Sequence, residues 1–125
     1  MTADDFVARA RQWIGTPRLL GQHVEGAGAD GLFPLRILGR PVPPSYRTTM
    51  AADLTDLMRA YFGDPKRTNP ALGDIVGYRR PGSRVGFDQL GVVSSVRPRR
   101  MVCCSPAKIV ETEIPAGAVF WRFDG

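Results

Sequence analysis

The apolar pattern of this chain predicts an α+β domain, with N-terminal helices packed on a small antiparallel sheet of about five strands. Helical spacing organises the first part, residues 2–62. Period-two alternation takes over in the second, residues 74–123. Helices followed by a run of short strands is the order of an α+β fold. Fourteen Gly and eleven Pro supply the turns such an architecture needs. At 125 residues the chain is long enough for one domain and too short for two.

The first helix is expected over residues 2–14. Thr2 can cap it, and Asp5 three residues later completes a capping box. Phe6, Val7, Ala10, Trp13 and Ile14 form one apolar stripe, and Gly15 and Pro17 end the helix. Residues 15–31 are Gly-rich and show little periodicity. Pro34 fits the first turn of a short helix that Gly39 and Pro41 terminate. A longer helix is expected over residues 49–62, with Thr49 as cap and Asp53 in the first turn. Its stripe is Met50, Leu54, Leu57, Met58, Tyr61 and Phe62, and Gly63 and Pro65 close it. Strands are expected over residues 74–79, 87–96, 100–104, 108–114 and 118–123.

Hydrophobic residues make up 43% and charged residues 23%, the balance of a folded domain rather than a disordered chain. No apolar run approaches the ~18 residues of a membrane helix. The beginning, MTADDFVARARQW, lacks the basic and apolar regions of a signal peptide. The net charge of +5 permits nucleic-acid binding without requiring it. The basic residues are scattered among acids except for Arg79, Arg80 and Arg84 and for Arg97, Arg99 and Arg100, and the aromatic-plus-basic stripe of a nucleic-acid-binding sheet is lacking. The two cysteines are adjacent, so they staple no loop. One His beside such a pair matches no zinc spacing, and neither metal nor cofactor is expected.

Two segments carry a family resemblance. ARQWIGTPRLLGQHVEGAGADG, residues 10–31, is similar to the opening of the NlpC family of papain-like cell-wall cysteine peptidases, particularly its short phage-tail branch. Trp13, Gly15, Thr16, Pro17, Gly26, Gly28 and Asp30 match in register. ALGDIVGYRR, DQLGVV, MVCC, KIVETEIP and AVFWRF then resemble that family's strands in their order. The resemblance spans about residues 5–123 and implies a papain-like fold, a single NlpC-like domain over residues 1–125.

Such a peptidase needs a Cys at a helix N-terminus, where the dipole and a His partner favour the thiolate, and a polar group that orients the imidazole. The resemblance places the nucleophile directly after Asp30, and Gly31 stands there. It places the base before Leu90 and Gly91, where Gln89 offers an amide that cannot take a proton near neutral pH. It places the orienting residue after Met101 and Val102, where Cys103 stands, and a cleft tyrosine after Pro17, where Arg18 stands. Gly31, Gln89 and Cys103 are therefore read as vestigial positions of a degenerate site, with no catalytic residue. Leu32, Phe33 and Pro34 follow Gly31, so the helix is expected to start later than in the family.

Relocated chemistry would have to join His23 to Cys103 or Cys104 without a helix terminus to activate the thiol. His23 reads more simply as a loop residue. Adjacent strand residues point to opposite faces, so one cysteine is expected in the core and the other half-buried. Asp30 and Asp74 read as turn and strand-opening residues that pair with backbone donors. Arg97, Arg99 and Arg100 read as a solvated hairpin tip suited to an acidic neighbour.

The resemblance implies a catalytically inactive, peptidase-like structural component of a bacteriophage or gene-transfer-agent tail tip or baseplate, assembled in the bacterial cytoplasm. Its partners would be hub or distal tail subunits, with peptidoglycan a ligand that a degenerate site could still hold. Candidate interface residues are Arg18, Leu19 and Leu20 beside the old cleft and Arg97, Arg99 and Arg100 on the hairpin. The competing readings are an active peptidoglycan endopeptidase with relocated residues and a basic nucleic-acid-binding domain.

Overall fold

A computed structural model describes residues 1–42, 54–82 and 87–122. Helix α1 spans Ala3–Gln12. Its capping box is formed in both directions: Asp5 N–H donates to Thr2 Oγ1 at 3.1 Å, and Thr2 N–H donates to Asp5 Oδ2 at 3.0 Å. These bonds hold the Asp5 carboxyl below its usual pKa, the Thr2 backbone bond first. Phe6, Val7 and Ala10 are buried along the helix, and Trp13 caps its C-terminus. Ile14 departs from the expected stripe and is 43% exposed. The helix ends at Gln12, and the turn closed by Gly15 at φ +93° rotates Ile14 away from the core.

The Gly-rich segment contains a small ribbon that the sequence pattern did not announce. Strand β1, His23–Val24, pairs antiparallel with β2, Gly28–Ala29. The turn between them closes with Ala27 N–H on the Val24 carbonyl, and Gly26 adopts φ +79° inside it. Helix α2 spans Phe33–Ile37 and helix α3 spans Thr55–Phe62. Thr49, Met50 and Asp53, expected at the start of the latter, lie outside the described residues. Leu54 stands at its N-cap, and Gly63 at φ +80° closes it.

The main sheet has five strands: β3 Ile75–Tyr78, β4 Gln89–Val96, β5 Arg99–Cys104, β6 Ile109–Glu113 and β7 Val119–Trp121. Their spatial order is β6-β5-β4-β3-β7, all antiparallel. The first four form a meander, and β7 returns to the far side of β3. Arg99 belongs to β5 rather than to the turn, and Arg100 reaches across to β6, its Nη2 donating to the Glu111 carbonyl at 3.0 Å.

Both faces of this sheet are buried. One carries Ile75, Leu90, Val92, Val102, Cys104, Ile109, Val119 and Trp121, and packs with Phe6, Trp13, Phe33, Leu35, Leu54 and Met58 from the helical side. The other carries Val76, Val93, Met101, Cys103, Ala118 and Phe120, with Tyr78 and Val110 beside them. Val92 and Val93 are neighbours buried on opposite faces, which is why β4 reads as an apolar run rather than a clean alternation. Among the described residues, no helix is long and apolar enough to cross a membrane.

Gly77 fits this core only because it lacks a side chain. A Cβ there would lie 2.7 Å from Cζ3 of Trp121 and 3.2 Å from Cδ2 of Phe87. The indole is held, since its Nε1–H donates to the Gly63 carbonyl at 3.0 Å and its ring meets Phe87 edge-on at 5.0 Å. Gly77→Ala is therefore expected to destabilise the protein by about 1–3 kcal/mol through overpacking. Urea unfolding followed by Trp fluorescence measures this, and an unchanged midpoint would contradict the packing described.

Candidate functional site

Three positions distant in the sequence meet at one end of the sheet. Gly31 lies between β2 and α2, and its carbonyl accepts the Leu90 N–H at 3.2 Å. That bond sets residue 31 beside the beginning of β4, under the side chain of Gln89. A Cβ on Gly31 would overlap Gln89 Oε1 and stand 3.1 Å from Gln89 Cδ. The amide, itself 5% exposed, fills the space that a side chain at residue 31 would need. Gln89 faces Tyr78 across the β3–β4 pair, and Cys103 faces Gly91 across β4–β5. Gln89, Cys103, Tyr78 and Arg18 line one cleft of about 770 Å³, with Met101 and Val110 on its floor.

The chain around Gly31 is positioned by Asp30. This carboxylate is buried and accepts from Leu32 N–H at 2.9 Å through Oδ1 and from Gly21 N–H at 3.1 Å through Oδ2. It ties the start of the Gly-rich segment to the approach to α2, a turn role of the kind expected for it. Helix α2 opens at Phe33, with Pro34 in its first turn. Pro34 fits this helix start, as expected for a short helix beginning near it, because a proline in the first turn removes an N–H that would have no helical partner. Asp74 is likewise a structural anchor: it accepts from Ala71 N–H at 2.9 Å and pairs with Lys66 Nζ at 2.8 Å.

The thiols sit on opposite faces of β5, as alternation requires, but both are buried. Closure of the second face over Cys103 removes the half-exposed position expected for one of them. Burial pushes the Cys103 thiol above its ordinary pKa, and its hydrogen bond to Tyr78 offsets part of that. The Tyr78 phenol is also pushed up, by burial first and then by Cys103. Burial pushes Cys104 up to about 11, although Arg18 beside it favours the thiolate. Cys104 Sγ lies 4.0 Å from the Ala29 carbonyl and 3.5 Å from that of Ser105. His23 stands exposed on β1, so the described hydrogen bonds join neither thiol to the imidazole.

The residues singled out for an interface separate into different environments. Leu19 and Leu20 are 50% and 45% exposed, and Arg18 is half-buried with its guanidinium on Cys104. Arg97 is exposed in the β4–β5 turn and Arg99 at the start of β5, while Arg100 is partly buried over β6. The pair formed by Arg80 and Asp88 was missed in the sequence. Asp88, fully buried, accepts from Arg80 Nε at 3.0 Å and from Arg80 N–H at 3.1 Å. It clamps the two chains just beyond the Tyr78–Gln89 pair and so shapes the cleft mouth. A basic and an acidic residue flanking two paired strands was the available signal.

No protein-family model matches this chain, and no curated protein matches it.

Two measurements check this geometry. Gly31→Ala is expected to cost about 1–3 kcal/mol on its own, because the amide of Gln89 must move. Combined with Gln89→Ala the penalty at residue 31 is expected to shrink, giving a coupling of about 0.5–3 kcal/mol in a double-mutant cycle by urea denaturation. Additive effects would place the two residues apart. Alkylation tests the thiols. A raised pKa keeps each thiol neutral and unreactive until the pH climbs past the ordinary cysteine range, so iodoacetamide labelling of the native protein is expected to be slow at neutral pH. For Cys104 it is expected to rise toward pH 11. In urea the same profile is expected to centre near pH 8.5, the value of a free cysteine. Fast native labelling at neutral pH would overturn the burial assigned to both.

Proposed function

We propose that the protein is a papain-like shell of the NlpC type that has lost its hydrolytic chemistry and serves as a structural component of a phage or gene-transfer-agent tail tip or baseplate. The observation that carries this reading is the meeting of Gly31 and Gln89. The resemblance assigns these two positions to a nucleophile and its base, groups that must touch in a working enzyme. They touch here, 58 positions apart in the chain, and neither has a side chain capable of the role. The position of the orienting residue, Cys103, lines the same cleft with a protonated, buried thiol. A site with that geometry and no thiolate, imidazole or carboxylate relay retains shape without acyl-transfer chemistry.

A shell without chemistry is useful through its surface. Arg is among the residues enriched at interface anchors, and Arg97, Arg99, Leu19 and Leu20 are exposed. The partners in this reading are hub or distal tail subunits, met inside the bacterial cytoplasm during particle assembly, and a specific contact would bury on the order of 1,200 Å² or more.

Two experiments test the reading in its separate parts. Purified protein incubated with muropeptides carrying γ-D-glutamyl bonds is expected to release no fragments by mass spectrometry; thiol-dependent turnover would overturn the loss of hydrolysis. Crosslinking within purified particles is expected to join the Arg18–Leu20 or Arg97–Arg100 cluster to another subunit. A protein that never co-purifies with particles would remove the tail-tip role while leaving the first result standing.

A further inference from the structure

A second cleft, of about 690 Å³, opens where the end of β3, the start of β7, α3 and the segment before β3 come together. Arg59, Arg67, Arg79 and Arg80 line it, and among the described residues no Asp or Glu does. Arg80 is held by buried Asp88, and Arg59 pairs with Asp64 on the surface. Among the described residues, no carboxylate pairs with Arg67 or Arg79, and both side chains are exposed. Four cations concentrated in one concavity repel each other and raise the local potential for an anion. Fixing Arg80 through a buried carboxylate costs the protein a desolvated charge pair, yet it leaves the guanidinium edge at the cleft.

This cleft is continuous with the one beside Gln89. The two share Tyr78, Arg79, Arg80 and Pro115 in their walls. Beyond that junction the lining changes character: Met101, Val110 and Pro106 make it mostly apolar, with Arg18 and Glu113 the charged residues of its wall. The groove is therefore cationic at one end and greasy at the other.

We propose that this groove binds an extended acidic peptide segment of a partner protein, with carboxylates paired to Arg67 and Arg79 and an apolar side chain in the half beside Met101 and Val110. Arginine forks pair bidentately with carboxylates, and the separation of charged and apolar lining sets the direction of the segment. A nucleic acid fits less well. It would carry phosphate along its whole length, including over the apolar half, and stacking bases need exposed aromatic platforms. Phe87 in the cationic half is buried, and Tyr78 is largely so. The groove stands on its own lining and does not depend on membership of a tail particle.

The test uses the purified full chain and a dye-labelled peptide of about ten residues, alternating Glu or Asp with Leu or Val, read by fluorescence anisotropy at ~0.15 M salt. The acidic peptide is expected to bind, and its Gln/Asn counterpart is not. Losing two charge-assisted pairs through Arg67→Ala with Arg79→Ala is expected to weaken binding at least about tenfold. Arg79→Lys, which keeps the charge and loses the fork, is expected to weaken it several-fold. Arg9→Ala, on exposed α1, is expected to leave it unchanged, and circular dichroism checks that every variant is folded. Absence of binding to the acidic peptide overturns the proposal. So does equal binding by the double variant, an equal loss in Arg9→Ala, or full retention in Arg79→Lys, each of which would mean diffuse charge attraction. A single-stranded oligonucleotide that binds as tightly as the peptide, with the same dependence on Arg67 and Arg79, would reassign the groove to nucleic acid.

Discussion

Strand β4 is hydrogen-bonded on both sides and buried on both faces, and the cleft beside Gln89 is organised around it. On one face Leu90 and Val92 meet the helical core; on the other Val93 lies among Met101, Val76 and Phe120. Its pairing with β3 brings Tyr78 opposite Gln89, and its pairing with β5 brings Cys103 opposite Gly91. The Leu90 N–H, at the strand's entry, fastens the turn that leads into α2. A strand constrained in this way cannot slip by one residue without exchanging its two buried faces. That fixed register is what lets residues 31, 89 and 103 share one end of the sheet.

The same constraint explains the chemistry of the cleft. Burial from both sides removes water from the two thiols, and a thiolate is the form that loses most from desolvation. Tyr78 and Arg18 each offset a part of this, one at Cys103 and one at Cys104, without restoring an ordinary cysteine. A reactive cysteine needs the opposite setting, a helix terminus or a paired cation in partly exposed surroundings. Gln89 completes the picture by occupying the space above Gly31. The cleft is a mostly apolar recess, and positive charge gathers at its far end, where Arg59, Arg67, Arg79 and Arg80 stand.

Much of the fold was legible along the chain. Thr2 and Asp5 announced the cap of α1, and the stripe of Phe6, Val7 and Ala10 announced its buried face, because both signals act within two helical turns. The five strands followed from β-branched and aromatic residues between turns. The β1–β2 ribbon was not legible, since two strands of two residues offer no period to read. Ile14 was misplaced because helical periodicity says which residues share a face but not where Gly15 and the Thr16 contacts with β6 stop the helix. Of the site, Gly31, Gln89 and Cys103 were named from the sequence, as was the cluster of Arg79 and Arg80 with Arg84, which lies outside the described residues; the pairing of Arg80 with Asp88 and the arrival of Arg59 and Arg67 at the same cleft were not.

By itself, then, the sequence determined the class of fold, the order of its elements and the residue types, Gly31, Gln89 and Cys103, at the three positions in question. These depend on residue identity and on spacing over a few residues, which the chain carries openly. Tertiary structure alone decided that residues 31 and 89 touch, that both cysteines are enclosed, and that arginines spread over residues 59–80 face one concavity. Those facts depend on pairing across long stretches of chain and on which face of the sheet is covered. No local periodicity encodes them, because the partner that buries or charges a side chain is supplied by a distant segment.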